Sequence, residues 1–237
     1  YGLPRFYHAA KAADLRAIVG AELTIALPGA LASDSRAARP GAWHLPVLVE
    51  SPHGWRNLCR LITRMKLRAP KGDGALQLDD FDGMTTGLVA LPGRPVLLAE
   101  RYGVGGLLDR LIGLFGRGNV YLELQRHLRR DQEDDNDTLV TLAEAFRVRL
   151  VATGGVRFAA PDARPLLDVL TTIREGTTLE DAGRRLAANA ERYLKPPAQM
   201  TRLFADRPEA VHESMALADR LQFTMKDLGY TFPRYPA

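Results

Sequence analysis

The sequence predicts an α/β fold in which a parallel, barrel-like (β/α) sheet is followed by a helical extension. Short stretches rich in β-branched and apolar residues alternate with longer segments whose apolar residues recur at helical spacing. The last strand-like stretch ends at residue 153, and after Pro161 the composition turns helical, with segments separated by glycine and proline. We therefore expect an α/β domain over residues 1–175 and a helical linker over residues 176–237.

The predicted strands are apolar runs, and they cover residues 17–25, 44–50, 87–91, 120–124 and 149–153. Helices are predicted for residues 4–13, 53–67, 103–115, 131–146, 164–175, 179–190, 199–204 and 208–221. The helix over 53–67 has apolar residues at helical spacing, namely Trp55, Leu58, Leu61, Ile62 and Met65. In parallel α/β folds, ligands collect at the carboxyl ends of the strands. This rule directs attention to Glu22, to residues 125–127 and to residues 154–157, whereas His44 at the start of its strand fits less well.

The composition is that of an ordinary globular protein, with 46% hydrophobic and 25% charged residues. The single cysteine, Cys59, excludes an internal disulfide and suits the reducing cytoplasm. No apolar run approaches the roughly 18 residues of a membrane span, so we expect no membrane partner. The first residues show neither a signal-peptide pattern nor an initiator methionine, which favours a piece of a longer protein. The net charge of +4 is compatible with a phosphate-rich partner but does not establish one.

Several stretches, in this order and spacing, resemble one protein family. They are IVGAELTI (18–25), HLPVLVESPHGWRNLCRLITR (44–64), VYLELQRH (120–127), LVATGGVRF (150–158), PLLDVLTTIREGTTLEDAGRRL (165–186) and YLKPPAQMTRLF (193–204). The family is the PHP (polymerase and histidinol phosphatase) domain of bacterial C-family DNA polymerases, that is, of the DNA polymerase III alpha subunit family. The stretches AERYLKPPAQM and LGYTFPRYP are most similar to the error-prone branch of that family.

The resemblance implies a PHP-type barrel that lacks its first strands. A complete PHP domain opens with a His-x-His strand and an Asp-His-Asp turn, both of which supply metal ligands, and this chain begins just after that turn. Family members continue into the palm, thumb and fingers, where the acidic residues for nucleotidyl transfer reside. The resemblance therefore implies that residues 1–175 form an incomplete PHP-like domain and that residues 176–237 lead towards the palm and thumb.

Glu22, His44 and His127 stand at positions that match metal ligands of the family. For Glu22 an ion pair with an arginine is an open alternative, and for His44 the alternative is a histidine whose hydrogen bonds are made within the protein. The affinity of His127 for a cation would be lowered by the arginines close to it in sequence, Arg126, Arg129 and Arg130.

The last strand departs from the family pattern. Gly155 and Arg157 stand where the family has a metal-binding aspartate and histidine, and a protonated guanidinium cannot coordinate a cation. We expect Arg157 to pair with Glu22 instead. The sequence thus predicts a degenerate remnant of a metal site, with no catalytic residue, no cofactor and at most weak binding of a divalent metal.

The function implied by the resemblance is that of a structural segment of an error-prone DNA polymerase. The full-length protein would carry out DNA-directed DNA synthesis in damage-induced mutagenesis and translesion synthesis. The expected partners are the remainder of the polymerase chain and, through the full-length protein, DNA. Two alternatives stay open, a stand-alone PHP-type metal-dependent phosphoesterase and an inactive gene fragment, so whether the chain is an enzyme is left undecided.

Overall fold

The computed structural model describes residues 2–26, 42–70, 74–97 and 105–228 and confirms a mixed α/β fold. The strands are β1 (Gly20–Ile25), β2 (Trp43–Val49), β3 (Leu88–Ala90), β4 (Tyr121–Gln125) and β5 (Arg149–Thr153). The helices are α1 (Leu3–Ala12), α2 (Pro52–Leu67), α3 (Gly106–Phe115), α4 (Arg130–Phe146), α5 (Arg164–Glu175), α6 (Leu179–Ala182), α7 (Pro197–Leu203) and α8 (Pro208–Arg220). Each predicted strand is therefore confirmed to within a few residues.

The described strands form a three-stranded sheet, β1-β2-β3, and a two-stranded sheet, β4-β5. The first sheet is antiparallel throughout, whereas β4 and β5 are parallel. A single parallel bridge between Ala90 and Val120 links β3 to the start of β4. Because β1 and β3 both run opposite to β2, the strands β1, β3, β4 and β5 share one direction.

The prediction of a fully parallel sheet is wrong for β2, and the connection after α2 explains why. In a parallel β-α-β unit the helix returns the chain to the starting end of the first strand. Helix α2 does carry the chain to that end, since Leu76 forms a bridge with Ile25 beside the start of β2. Residues 77–87 then cross back, so β3 begins at Leu88 opposite Val49, the last residue of β2.

The two sheet faces bury different sets of side chains. One face lies in the main core with helices α2, α3 and α4, and its members include Leu23, Leu45, Val47, Leu122 and Leu124. The other face carries a smaller cluster in which Val89, Tyr121 and Val151 contact Leu217 and Leu221 near the end of α8. The polar residues of the candidate site lie on the face of this smaller cluster.

The helical region after residue 175 also contributes to the core. Phe204 and Ala210 are fully buried in the main core, and Phe223 joins them. The helix predicted over 179–190 is wrong beyond residue 182, because Gly183 adopts φ 50° and ψ −123° and ends α6 there. No helix in the described ranges has the length and apolarity needed to cross a bilayer.

A pair of glycine substitutions tests the packing of α2 on the sheet. A Cβ added at Gly54 would lie 1.8 Å from the carbonyl oxygen of Gly87, so Gly54→Ala forces backbone apart. We expect a loss of about 3 kcal/mol in the free energy of unfolding. Gly113 in α3 has open space around its Cβ position, so Gly113→Ala should instead add up to about 1 kcal/mol through helix propensity. Denaturant unfolding of both variants measures this, and a similar effect of the two would contradict the close approach.

Candidate functional site at the carboxyl edge of the sheet

The reversed direction of β2 brings His44 to the edge at which the other strands end. Thr24 near the end of β1 pairs with His44, and Glu22 pairs with Pro46. Residues directly opposite each other in a sheet point to the same face, so Glu22 and His44 are diagonal neighbours on one face. The misfit of His44 with the strand-end rule came from assuming a parallel β2. His44 is exposed.

Glu22 forms an ion pair with Arg157, and this pairing is confirmed as expected from the sequence. The guanidinium Nη2 of Arg157 lies 3.2 Å from Oε2 and 3.3 Å from Oε1 of Glu22. The two side chains are 46% and 41% exposed, so solvent screens the attraction. Such a pair contributes about 1 kcal/mol or less to stability. Its importance lies in occupying both oxygens of the carboxylate.

His127 is buried, and both of its ring nitrogens have hydrogen-bond partners. Its Nε2 lies 3.0 Å from the backbone carbonyl oxygen of Gly154, and its Nδ1 lies 3.1 Å from the side-chain amide nitrogen Nε2 of Gln132. This network fits a neutral ring that donates from Nε2 and accepts at Nδ1. Burial lowers the pKa of His127, and the cations Arg192 and Lys195 lower it further. Neither nitrogen has a lone pair free for a metal in this arrangement.

The arginines next to His127 in sequence are directed to other partners. Arg126 bonds to Glu133 at 2.9 Å and to Asp206, and Arg129 bonds to Asp131. The bonds from Arg126 hold the pKa of Asp206 down at about 2. The cations that lower the pKa of His127 are instead Arg192 and Lys195, which lie far from it in the sequence.

The backbone at Gly155 leaves little room for a side chain such as the aspartate that the resemblance predicts at this position. It adopts φ 51°, and a Cβ built there would lie 2.4 Å from Oε1 of Gln125. Its carbonyl oxygen accepts a hydrogen bond of 2.8 Å from Nε of Arg192. Burial lowers the pKa of Arg192, and the nearby charge of Arg157 lowers it further. Two arginines therefore lie at the turn after β5.

Glu123, in the middle of β4, is a site residue that the sequence analysis missed. Its Oε1 accepts a hydrogen bond of 2.6 Å from the hydroxyl of Thr153. Burial raises the pKa of its carboxyl, with a further contribution from Glu22, while Arg192 acts in the opposite direction. A lone carboxylate within the apolar run VYLELQ was the available signal. The rule that ligands lie at strand ends does not include a residue in mid-strand.

The side chains at this edge do not fit a metal cluster as they are arranged. Among the described residues, no three His, Cys, Asp or Glu side chains are grouped so that they could hold a metal ion. Both oxygens of Glu22 face Arg157, and both nitrogens of His127 are hydrogen-bonded. The arrangement is an ion-pair and hydrogen-bond network.

Replacing Glu123 with glutamine tests its titration. The folded-state pKa is raised, so the folded chain binds more protons than the unfolded chain between the two pKa values, and stability falls as pH rises through this window. The glutamine side chain cannot ionise, but its amide oxygen can still accept from Thr153. We expect Glu123→Gln to gain stability relative to the native chain as pH rises there, by about 1.4 kcal/mol per unit of pKa shift.

Denaturant unfolding at a series of pH values measures this difference. The matched control is Glu180→Gln, which changes an exposed glutamate in α6. If the free energy of unfolding of Glu123→Gln differed from that of the native chain by the same amount at every pH, the pKa of Glu123 would not differ between the folded and unfolded states, and the prediction would be wrong.

Comparisons with known proteins bear on this arrangement. The PHP domain model matches residues 1–127. A protein named error-prone DNA polymerase from Rhodopseudomonas palustris (strain BisB5) is 39% identical over 179 residues, covering 76% of this chain and 16% of the relative. Another, from Bradyrhizobium sp. (strain ORS 278), is 39% identical over 185 residues with the same shares. Error-prone DNA polymerase 1 of Agrobacterium fabrum (strain C58) is 33% identical over 240 residues, covering 98% of this chain and 20% of the relative.

The chain therefore spans about a sixth to a fifth of the length of these relatives. The matches confirm the resemblance to the PHP domain of error-prone C-family polymerases. On the evidence of the family match over more than half of its residues, the chain belongs to the PHP domain family.

Proposed function

We propose that this chain is the PHP segment of an error-prone DNA polymerase, in which it has a structural role while other parts of a longer chain synthesise DNA. The names of the relatives and their much greater length support this proposal. The process would be DNA repair and damage-induced mutagenesis through translesion synthesis in the cytoplasm. Within this proposal, residues 1–175 are the PHP-like domain, and residues 176–237 lead towards the palm and thumb.

We further propose that the edge containing Glu22, His44 and His127 is a degenerate remnant of a metal site. The pairing of Glu22 with Arg157 supports this, because a cation at Glu22 would lie close to the guanidinium. Two unit charges about 4 Å apart repel by roughly 4 kcal/mol at an effective dielectric of about 20, and a divalent ion doubles this before solvent screening. Hydrolysis of phosphoesters by such a site is not expected.

The observation that carries the structural role is the inverted polarity of α5. Its outward face is apolar, and the residues there are Leu166, Val169, Leu170 and Ile173, with exposures of 63%, 40%, 54% and 71%. Its inward face is largely polar, with Thr172 buried and with Arg164 forming an ion pair with Asp168 at 3.4 Å and donating a hydrogen bond of 2.7 Å to the carbonyl oxygen of Ala187. A solvated surface helix has the opposite arrangement. The apolar face of α5 therefore suits contact with another body of protein.

Size favours a tethered partner over a second copy of the chain. Four side chains on a helix of 12 residues offer far less than the roughly 800 Å² per partner that stable complexes bury. Contacts between domains of one chain need less area, because the linker supplies an effective concentration in the millimolar range. We infer that the remainder of a polymerase chain covers α5. The barrel-like closure belongs to the same proposal, with further strands joining at the outer strands β1 and β5.

A chimeric polymerase tests this function. We expect that the chain alone neither extends primers nor hydrolyses a chromogenic phosphate ester with zinc or manganese. Placed in the Rhodopseudomonas palustris polymerase instead of the matching segment, it should support primer extension. The double variant Leu170→Gln/Ile173→Gln should lower by several degrees the Tm of the transition in which this segment of the chimera unfolds, because a contact of about 2 kcal/mol is lost.

The matched control is Leu67→Gln/Met215→Gln, which removes two exposed apolar side chains elsewhere and should leave the Tm of the chimera unchanged. Phosphoester hydrolysis by the isolated chain would favour the stand-alone phosphoesterase. An equal effect of the two double variants would exclude α5 as the docking face.

A further inference from the structure

Helix α2 carries a row of arginines at every fourth position. They are Arg56, Arg60, Arg64 and, at the helix C-cap, Arg68. At a rise of about 1.5 Å per residue, neighbouring members are about 6 Å apart along the axis and the row spans about 18 Å. Lys66 adds a fifth cation, and residues 52–68 contain no carboxylate. The four arginines are called the arginine row below, and α2 contains more lysine and arginine residues than any other α-helix in the described ranges.

Only part of this charge is neutralised. Asp80 is buried and bonds to Arg68 at 2.5 Å and to Arg64 at 3.4 Å, so one carboxylate serves two arginines and fixes their positions. Arg56 and Arg60 are exposed, and neither forms an ion pair with any carboxylate in the described part of the chain. Within the described part of the chain, the row thus combines guanidinium groups anchored by Asp80 with two that pair with no carboxylate.

A surface groove lies along the row. Its volume is about 580 Å³, and its lining consists of the three arginines Arg60, Arg64 and Arg68 together with Cys59, Thr63, Leu67 and Met84. Arginine is suited to phosphate, because its planar guanidinium offers paired donors and stays charged. Three arginines line this groove, and Arg60 pairs with no described carboxylate, so the groove suits an anionic chain.

We propose that the arginine row binds the phosphate backbone of duplex DNA. This inference deepens the proposed function, since it assigns a DNA contact to a defined surface. Single-stranded nucleic acid is bound through exposed aromatic side chains on which bases stack. Trp55, the aromatic residue of α2 other than His53, instead stacks on Phe223 with ring centroids 5.9 Å apart.

A lipid surface fits this helix less well. Insertion at a membrane surface needs an exposed apolar face opposite the cations. The apolar face of α2 is buried in the main core through Leu58, Leu61 and Met65, and Leu67 in the last turn is the large apolar side chain of α2 that is exposed. The surface therefore suits contact with phosphates and not with bases or acyl chains, and binding is expected to be independent of DNA sequence.

The proposal is tested by titrating the unmodified 237-residue chain into a labelled DNA duplex of about 30 base pairs and measuring fluorescence anisotropy. Arg56→Ala/Arg60→Ala should raise the Kd at least about tenfold at low salt and reduce the slope of log K against log salt by about 1.8. Both residues lie outside the Asp80 network, and alanine is a good helix former, so the fold should be retained. The control Arg184→Ala/Arg185→Ala removes the same charge from an exposed turn outside α2 and should have less than a twofold effect.

The single cysteine locates the site independently. Cys59 lies in the groove, so bound duplex should slow its alkylation at least severalfold, and it should do so less in Arg56→Ala/Arg60→Ala. The reaction is run at elevated pH because burial raises the pKa of this thiol. Polyglutamate, added at the same concentration of negative charge as the duplex, serves as the model of an acidic protein partner. It should protect Cys59 from alkylation much less than DNA does.

Three results would overturn the proposal. They are absence of duplex binding at low salt, an equal loss of affinity in the two double variants, and equal protection of Cys59 by polyglutamate. Because the assay uses the isolated chain and no polymerase activity, a failure here leaves the chimera experiment unaffected, and the reverse also holds.

Discussion

The candidate site depends on a balance between two carboxylates and two arginines at the carboxyl edge of the sheet. Burial raises the pKa of Glu123, to which Glu22 adds and which Arg192 opposes, and burial together with the charge of Arg157 lowers the pKa of Arg192. The two arginines come from segments that pair with each other, because the backbone N–H of Arg157 donates to the carbonyl oxygen of Arg192 at 2.8 Å. Glu123 and Arg192 are the more buried of the four groups, and a charge withdrawn from water is costly unless an opposite charge lies near it, so the attraction between carboxylates and arginines must offset both burial and the repulsion between like charges. In a metal-binding site a divalent ion would supply the positive charge that the arginines supply here.

The strands were predictable because apolar runs bounded by turn residues carry a strong local signal. Their direction was not, since it depends on where residues 77–87 lead the chain after α2. This tertiary feature has a consequence for the site. Reversal of β2 places His44, at the start of its strand, at the edge where β1, β4 and β5 end. The pairing of Glu22 with Pro46 then puts His44 on the same face as Glu22.

The site was predictable where a residue stood at a position that the family uses. The pairing of Glu22 with Arg157 followed from opposite charges at two such positions and is present at 3.2 Å. Glu123 and Arg192 were missed, because burial of a carboxylate and the approach of residues 192–194 to residues 157–158 are set by the fold. The polarity of α5 could have been found in the sequence as an amphipathic pattern, but the orientation of its faces requires the structure. The metal-ligand roles of Glu22, His44 and His127 stay a prediction.

Calorimetric titration with zinc and manganese tests the central claim that protein cations have replaced a metal. The native chain is compared with Gly155→Asp/Arg157→His, which introduces the aspartate and histidine that the resemblance to the family predicts as metal ligands at these positions. Aspartate tolerates the positive φ of residue 155 better than most side chains, although the amide of Gln125 must move. The account predicts no tight binding by the native chain and an increase in affinity of at least about tenfold in the variant. Tight one-to-one binding of either metal by the native chain would contradict it.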